Sequence, residues 1–90
     1  MRIEGVHWDD SNIEHISKHN VSPSEVEDVC YRIHISRRES RGRYILSGQS
    51  ASGRYLNVVL ERIYDAIYRP ITAFGMSENY KRSYRRRLGK

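Results

Sequence analysis

Apolar and polar positions change their period near the middle of the chain. Residues 3–8 alternate loosely and predict a short strand ending at Trp8. Asp9, Asp10 and Ser11 then offer N-caps for a helix with Ile13 and Ile16 on one side, running to about His19. Asn20 suits the end of that helix because asparagine tolerates the left-handed conformation. Ser22, Pro23 and Glu25 supply the cap, first helical position and reciprocal acid of a capping box. The helix they open carries Val26, Val29 and Cys30 as its apolar stripe, with acids expected on the outer face of both helices.

From Arg43 the period becomes two. Arg43 to Gln49 and Arg54 to Arg62 read as strands joined by Ser50-Ala51-Ser52-Gly53, a type I turn with Gly53 left-handed. That turn pairs Leu46 with Val58 and Tyr44 with Leu60, adds Leu56 to the core face, and sets Arg43 across from Glu61 on the other face. After a short turn at residues 63–65, Ala66 to Phe74 reads as a third strand. Ile67 and Ile71 are expected on its core face, which carries Arg69 to that face near Arg62. Pro70 implies an edge or a bulge. Ser77 caps a last, strongly basic helix. The expectation is one α+β domain over residues 1–90, a small antiparallel sheet packed by helices in the order β-α-α-β-β-β-α.

Charge sharpens the division. Seven of the eleven acids lie in the first 28 residues beside only Arg2 and Lys18, whereas fourteen bases against four acids follow Cys30. The halves carry about −5 and +10, although the whole chain is only +5. Such a basic half points to a polyanion, and thirteen Arg against three Lys favour nucleic acid over a lipid surface, because the guanidinium fork grips phosphate and stacks on bases. A lone Cys30 excludes an internal disulfide and fits a reducing compartment. With no signal-peptide pattern in MRIEGVHWDD and no bilayer-length apolar run, a soluble cytoplasmic protein without membrane attachment is expected. Ninety residues provide one modest core, which a partner or a dimer contact would support.

Three stretches then stand in order: WDDSNIEHISKHNVSPSEVE, RGRYILSGQSASGRYLNVVLE and YRPITAFGMSENYKRSYRRR. Their matching elements are Trp8-Asp9, Lys18-His19, Arg43-Tyr44, Gly53-Arg54, Leu56–Leu60, Arg69 with Ile71-Thr72-Ala73, and Tyr84. Together they resemble the BrnT family, small toxins of a type II toxin–antitoxin system. The resemblance implies a RelE-like fold and a metal-independent ribonuclease that cleaves RNA to inhibit growth. It also implies a BrnA-like ribbon-helix-helix antitoxin and operator DNA reached through that antitoxin; a homodimer or a heterotetramer is the expected assembly, with the sequence silent on which. The chain departs from the family pattern at Asn20, where glycine is usual, at Phe74, where arginine is usual, and at Tyr80, where glutamate is usual.

Within the matched elements, His19 is the natural general acid or base, since imidazole titrates near neutrality. Lys18, Arg43, Arg54, Arg62 and Arg69 could hold phosphate and offset charge in the transition state. Tyr84 could stack on a base or donate a hydrogen bond, and Lys81, Arg82, Arg85, Arg86 and Arg87 would contact the RNA backbone. No ligand spacing suggests a metal site: His15 and His19 are four apart without a third partner, and no cofactor is expected. Two other readings stand beside the toxin. One is a module of the same fold that binds nucleic acid or a partner without cleaving; the other is an unrelated small basic RNA- or DNA-binding protein.

Overall fold

The computed structural model describes residues 1–89. Eight elements follow one another: β1 (Gly5–Val6), α1 (Asp10–Ser17), α2 (Pro23–Tyr31), β2 (His34–Ser40), β3 (Arg43–Gln49), β4 (Tyr55–Tyr64), β5 (Ile67–Gly75) and α3 (Glu78–Arg87). The strands form one sheet in the order β1-β5-β4-β3-β2, antiparallel except for the parallel pair β1–β5. The fold is α+β, with α1 and α2 against one face and α3 on the other. Among the described residues, no helix is long and apolar enough to cross a membrane.

Both early helices start where their polar residues predict. Asp9 caps α1 and shares a reciprocal box with Asn12, while Ser22 and Glu25 form the box that opens α2 behind Pro23. Asn20 takes φ 59°, and the amides of Asn20 and Val21 return to the carbonyls of Ser17 and Ile16. That is a Schellman ending, completed by burial of both Ile16 and Val21. One residue of α1 departs from expectation. Ile13 is 38% exposed, and Asn12 turns inward with Ile16. Asn12 can be buried because its Oδ1 accepts from the Asp9 amide and its Nδ2 donates to the His7 carbonyl.

The central hairpin keeps its expected register: Leu46 lies opposite Val58, Tyr44 opposite Leu60, and Arg43 opposite Glu61. Gly53 has φ 93° in the connecting turn. Leu46, Leu56, Val58 and Leu60 are fully buried against Ile16, Val26, Val29 and Cys30. Each large side chain buried there contributes about 1.5–3 kcal/mol. This layer is the core.

Two expectations about the sheet are corrected. The segment between α2 and Arg43 is not merely a connection: His34–Ser40 pairs along β3 and closes the sheet as an edge. Its Arg37, Arg38 and Glu39 mask the usual apolar signal, as charges on an edge strand do. The second correction concerns β5. Leu60 pairs with Pro70 and Val59 with Thr72, leaving Ile71 as the extra residue of a bulge. Tyr68, Pro70 and Ala73 therefore take the buried side. Ile67 and Arg69 turn to the other face, Arg69 directly across from Glu61. Pro70 does mark a bulge, as its missing amide requires. At the β1 edge, a Cβ on Gly5 would stand 2.8 Å from Ile67 Cδ1, so a larger residue there would require the Ile67 side chain to move aside.

The face assignment has a direct check. Leu46→Ala should cost about 2–5 kcal/mol in urea unfolding, and Ile45→Ala, one residue along on the half-open face, clearly less. Equal costs would contradict the layer described.

Candidate nucleic-acid interface

The cations proposed from sequence divide into two sets. The first set, Lys18 apart, is engaged within the fold. Arg69 reaches Asp9 with two bonds, Nε to Oδ2 at 2.9 Å and Nη2 to Oδ1 at 3.3 Å, and so pins the N-terminus of α1 to β5. Those bonds, the Arg69 bond foremost and then the Asn12 amide, hold the Asp9 carboxyl below its ordinary value of 3.8. Arg54 donates through Nη1 to both oxygens of Glu25 at 3.0 Å and to the Asn20 carbonyl at 2.7 Å, clamping the α1–α2 turn. Arg43 meets Glu61 at 3.3 Å, and Arg62 donates to the Asp65 carbonyl at 2.7 Å within the β4–β5 turn. Lys18 lies 3.9 Å from Glu14 on an exposed helix surface.

The acids expected on the outside of α2 are likewise used within the fold. Besides Glu25, Glu27 accepts the Trp8 indole N–H at 2.8 Å, and Asp28 accepts the Ala51 amide at 2.8 Å. Each joins α2 to a different segment. Cys30 lies in the core beside them; burial, followed by the nearby Glu27, pushes its thiol up to about 12. It is therefore a packing residue without thiolate character at neutral pH.

The second set of cations gathers on α3. Lys81 meets Glu78 at 3.3 Å, Arg82 bonds to Asn79, and Arg85 donates to the Tyr55 hydroxyl at 3.1 Å. Lys81 and Arg85 also stand about 5 Å from the Tyr55 ring centre. Among the described residues, none of Arg82, Arg85, Arg86 and Arg87 has a carboxylate partner. The helix rests on the sheet through Tyr84, which is buried edge-on to Tyr55 at 6.0 Å, and through Tyr80. Tyr84 is thus packed rather than presented, and burial raises its hydroxyl above the ordinary tyrosine value.

His19 stands apart from α3, at the far end of α1. It is exposed, with its ring 6.1 Å from His15 and 6.3 Å from Phe74 in an edge-on arrangement. Phe74 is itself 37% exposed, so aromatic surface replaces the guanidinium that the resemblance leads one to expect. Phe74, Asn57, Ser47 and Ile35 are register neighbours on β5, β4, β3 and β2. At about 4.8 Å per strand, roughly 10 Å of sheet separates Phe74 from Ser47.

Sequence reading passed over Ser47 and Asn57. Ser47 Oγ donates to Asn57 Oδ1 at 2.6 Å and lies 3.1 Å from the Tyr80 hydroxyl. The signal was present: the hairpin register that pairs Leu46 with Val58 also sets Ser47 opposite Asn57, a polar pair between apolar strands. Arg37 was hidden with its strand. Among the described residues, no three His, Cys, Asp or Glu side chains lie close enough to hold a metal ion.

No family model, curated protein or solved structure compared with the chain matches it.

Two measurements follow from these contacts. Because Asp9 is depressed in the folded state, its contribution is complete above its unfolded value near 3.8 and is lost as pH falls through the lower folded value. Arg69→Gln should therefore be less stable than the parent at neutral pH, and the gap in urea midpoint should close in that acid window. Cys30 should stay unreactive toward an aromatic disulfide reagent in the folded protein and react fully in denaturant. A fast native reaction would contradict its burial.

Proposed function

We propose that the chain is a RelE-like toxin of the BrnT kind, a cytoplasmic, metal-independent ribonuclease that cleaves RNA to inhibit growth. In this reading a BrnA-like ribbon-helix-helix antitoxin neutralises it and carries the complex to operator DNA, as a homodimer or heterotetramer. The observation that carries the proposal is the contrast between the two sets of arginines. Those on the strands are largely matched by carboxylates, whereas the four of α3 have none among the described residues. Unmatched guanidinium groups along one helix form an electrostatic footprint for a phosphate backbone.

The chemistry needs no group beyond the side chains and the RNA. A 2′-hydroxyl gives up its proton to a base and attacks the adjacent phosphorus, the P–O5′ bond breaks, the leaving 5′-oxygen takes a proton, and a cyclic phosphate remains. The arginines of α3 hold the neighbouring phosphates of the RNA backbone. His19, exposed and held beside Phe74, is the candidate for proton transfer, and Phe74 offers a ring for an unstacked base. Lys18 precedes it on the same exposed turn.

A second reading is a module of this fold that binds RNA or a protein partner without cleaving. The internal engagement of Arg43, Arg54 and Arg69 and the burial of Tyr84 favour it, since four of the six expected catalytic side chains are occupied by the fold.

Incubation of the purified protein with single-stranded RNA in excess EDTA distinguishes the two. The ribonuclease reading expects cleavage to cyclic-phosphate ends, reduced about 100-fold or more in His19→Ala. RNA binding without cleavage would establish the second reading, and cleavage abolished by the chelator would sink the metal-independent mechanism.

A further inference from the structure

The inward side of α3 is built unusually. Tyr80, Ser83, Tyr84 and Arg87 follow the i, i+3, i+4, i+7 spacing that turns one stripe of a helix toward its support. An ordinary sheet-packing helix makes that stripe apolar; here it includes a serine and an arginine. Between this stripe and Ile35, Arg37 and Ser47 of the sheet lies a cavity of about 80 Å³.

The polar groups around the cavity are unequal in their commitments. Ser47 spends its proton on Asn57, so the Tyr80 hydroxyl donates to Ser47 at 3.1 Å and its own ring is fixed in place. Ser83 makes no side-chain hydrogen bond among the described residues, which leaves its hydroxyl able to donate. Arg87 has no carboxylate partner there, and Arg37 has only Glu39 at 3.9 Å, both side chains about half exposed. No acid lines the cavity. Two guanidinium groups and a free hydroxyl, contributed by β2 and α3, thus surround a space with no negative charge in it.

Size narrows the ligand. The cavity exceeds the roughly 10–15 Å³ that a single water needs and falls well short of the roughly 300–1,000 Å³ that encloses a whole small molecule. A tetrahedral oxyanion fits between these limits, whereas a nucleoside does not. The open groove on the opposite side of α3, about 250 Å³ and lined by Gln49, Tyr55, Tyr84, Arg85 and Leu88, lacks this arrangement because Arg85 is held by Tyr55.

We propose that the cavity between β2, β3 and α3 is a phosphate subsite, with Arg37 and Arg87 gripping the oxyanion and Ser83 donating from the helix. The identification of that phosphate as one of an RNA backbone rests on the function proposed above; the anion chemistry does not. Tyr80 is a positioning residue. Its bond to Ser47 sets the depth at which α3 rides over the sheet, and with it the spacing of the two arginines. The position where the family resemblance leads one to expect glutamate thus carries a hydroxyl that leaves the cavity without an acid.

The test is a titration of isotope-labelled protein, first with inorganic phosphate and then with a short single-stranded RNA, followed by NMR. Arg37→Gln, Arg87→Gln and Ser83→Ala are compared with Arg41→Gln, an exposed arginine outside the cavity. Saturable phosphate shifts at Ser83, Arg37 and Arg87 are expected. Each cavity arginine variant should lose about tenfold in phosphate affinity, as loss of a charge-assisted bond implies, and Arg41→Gln should lose none. For RNA, each cavity arginine variant should lower the slope of log affinity against log salt by about 0.7, while Ser83→Ala leaves the slope unchanged. Non-saturating shifts spread along α3, or cavity variants indistinguishable from Arg41→Gln, would overturn the subsite. Saturable phosphate binding without RNA affinity would keep the subsite, assign it to free phosphate or a small phosphorylated ligand, and remove the RNA reading.

Discussion

A single apolar layer governs the rest of this molecule. Leu46, Leu56, Val58 and Leu60 bury one sheet face completely against Ile16, Val26, Val29 and Cys30. A chain of 90 residues has little apolar material for a second layer. The other face is consequently held by a few aromatic and polar contacts: Tyr84 on Tyr55, and Tyr80 on the Ser47–Asn57 pair. The economy of the core leaves a half-wet sheet face with a basic helix over it. A well-packed second layer would have sealed the very surface that the charge distribution makes useful.

The distribution of charge follows from the same geometry. The acids of α2 line the seams around that core, so Glu25, Glu27 and Asp28 each meet a donor from another segment. Asp9 and Glu61 meet strand arginines in the same way. These partly exposed pairs add little individually in water, but they fix where helices join strands. On α3 the one acid, Glu78, meets Lys81. The excess of base in the second half is therefore not spread evenly over the surface; it is concentrated on α3, whose four arginines have no carboxylate partner among the described residues.

Much of this was legible in the sequence wherever a short-range rule decided the outcome. The capping box at Ser22, a cap for α1 among Asp9, Asp10 and Ser11, the left-handed Asn20, and the hairpin register around Gly53 each depend on residues a few positions apart. Long-range choices were not legible. The bulge at Ile71 reverses the side taken by Arg69, because one inserted residue exchanges the two faces of a strand. β2 escaped notice because an edge strand needs polar side chains for protection. The cavity beneath α3 draws on three elements, one of them that unseen edge. Arg54 and Arg69 read as phosphate ligands because a pattern of residues reports a charge without its partner. Only the fold reveals that Glu25 and Asp9 already stand beside them.

The parallel pairing of β1 with β5 carries a consequence in time. Residue 5 lies beside residue 67, and about two thirds of the chain separates them. A chain emerging from a ribosome can close its β3–β4 hairpin and both early helices well before β5 exists, since local contacts form first. The first strand must wait for the last one. Asp9 must wait with it, for Arg69 arrives only on β5. Every chain that ends before β5 therefore lacks the completed sheet and the helix that lies on it, and the basic surface of α3 is assembled at the end of synthesis.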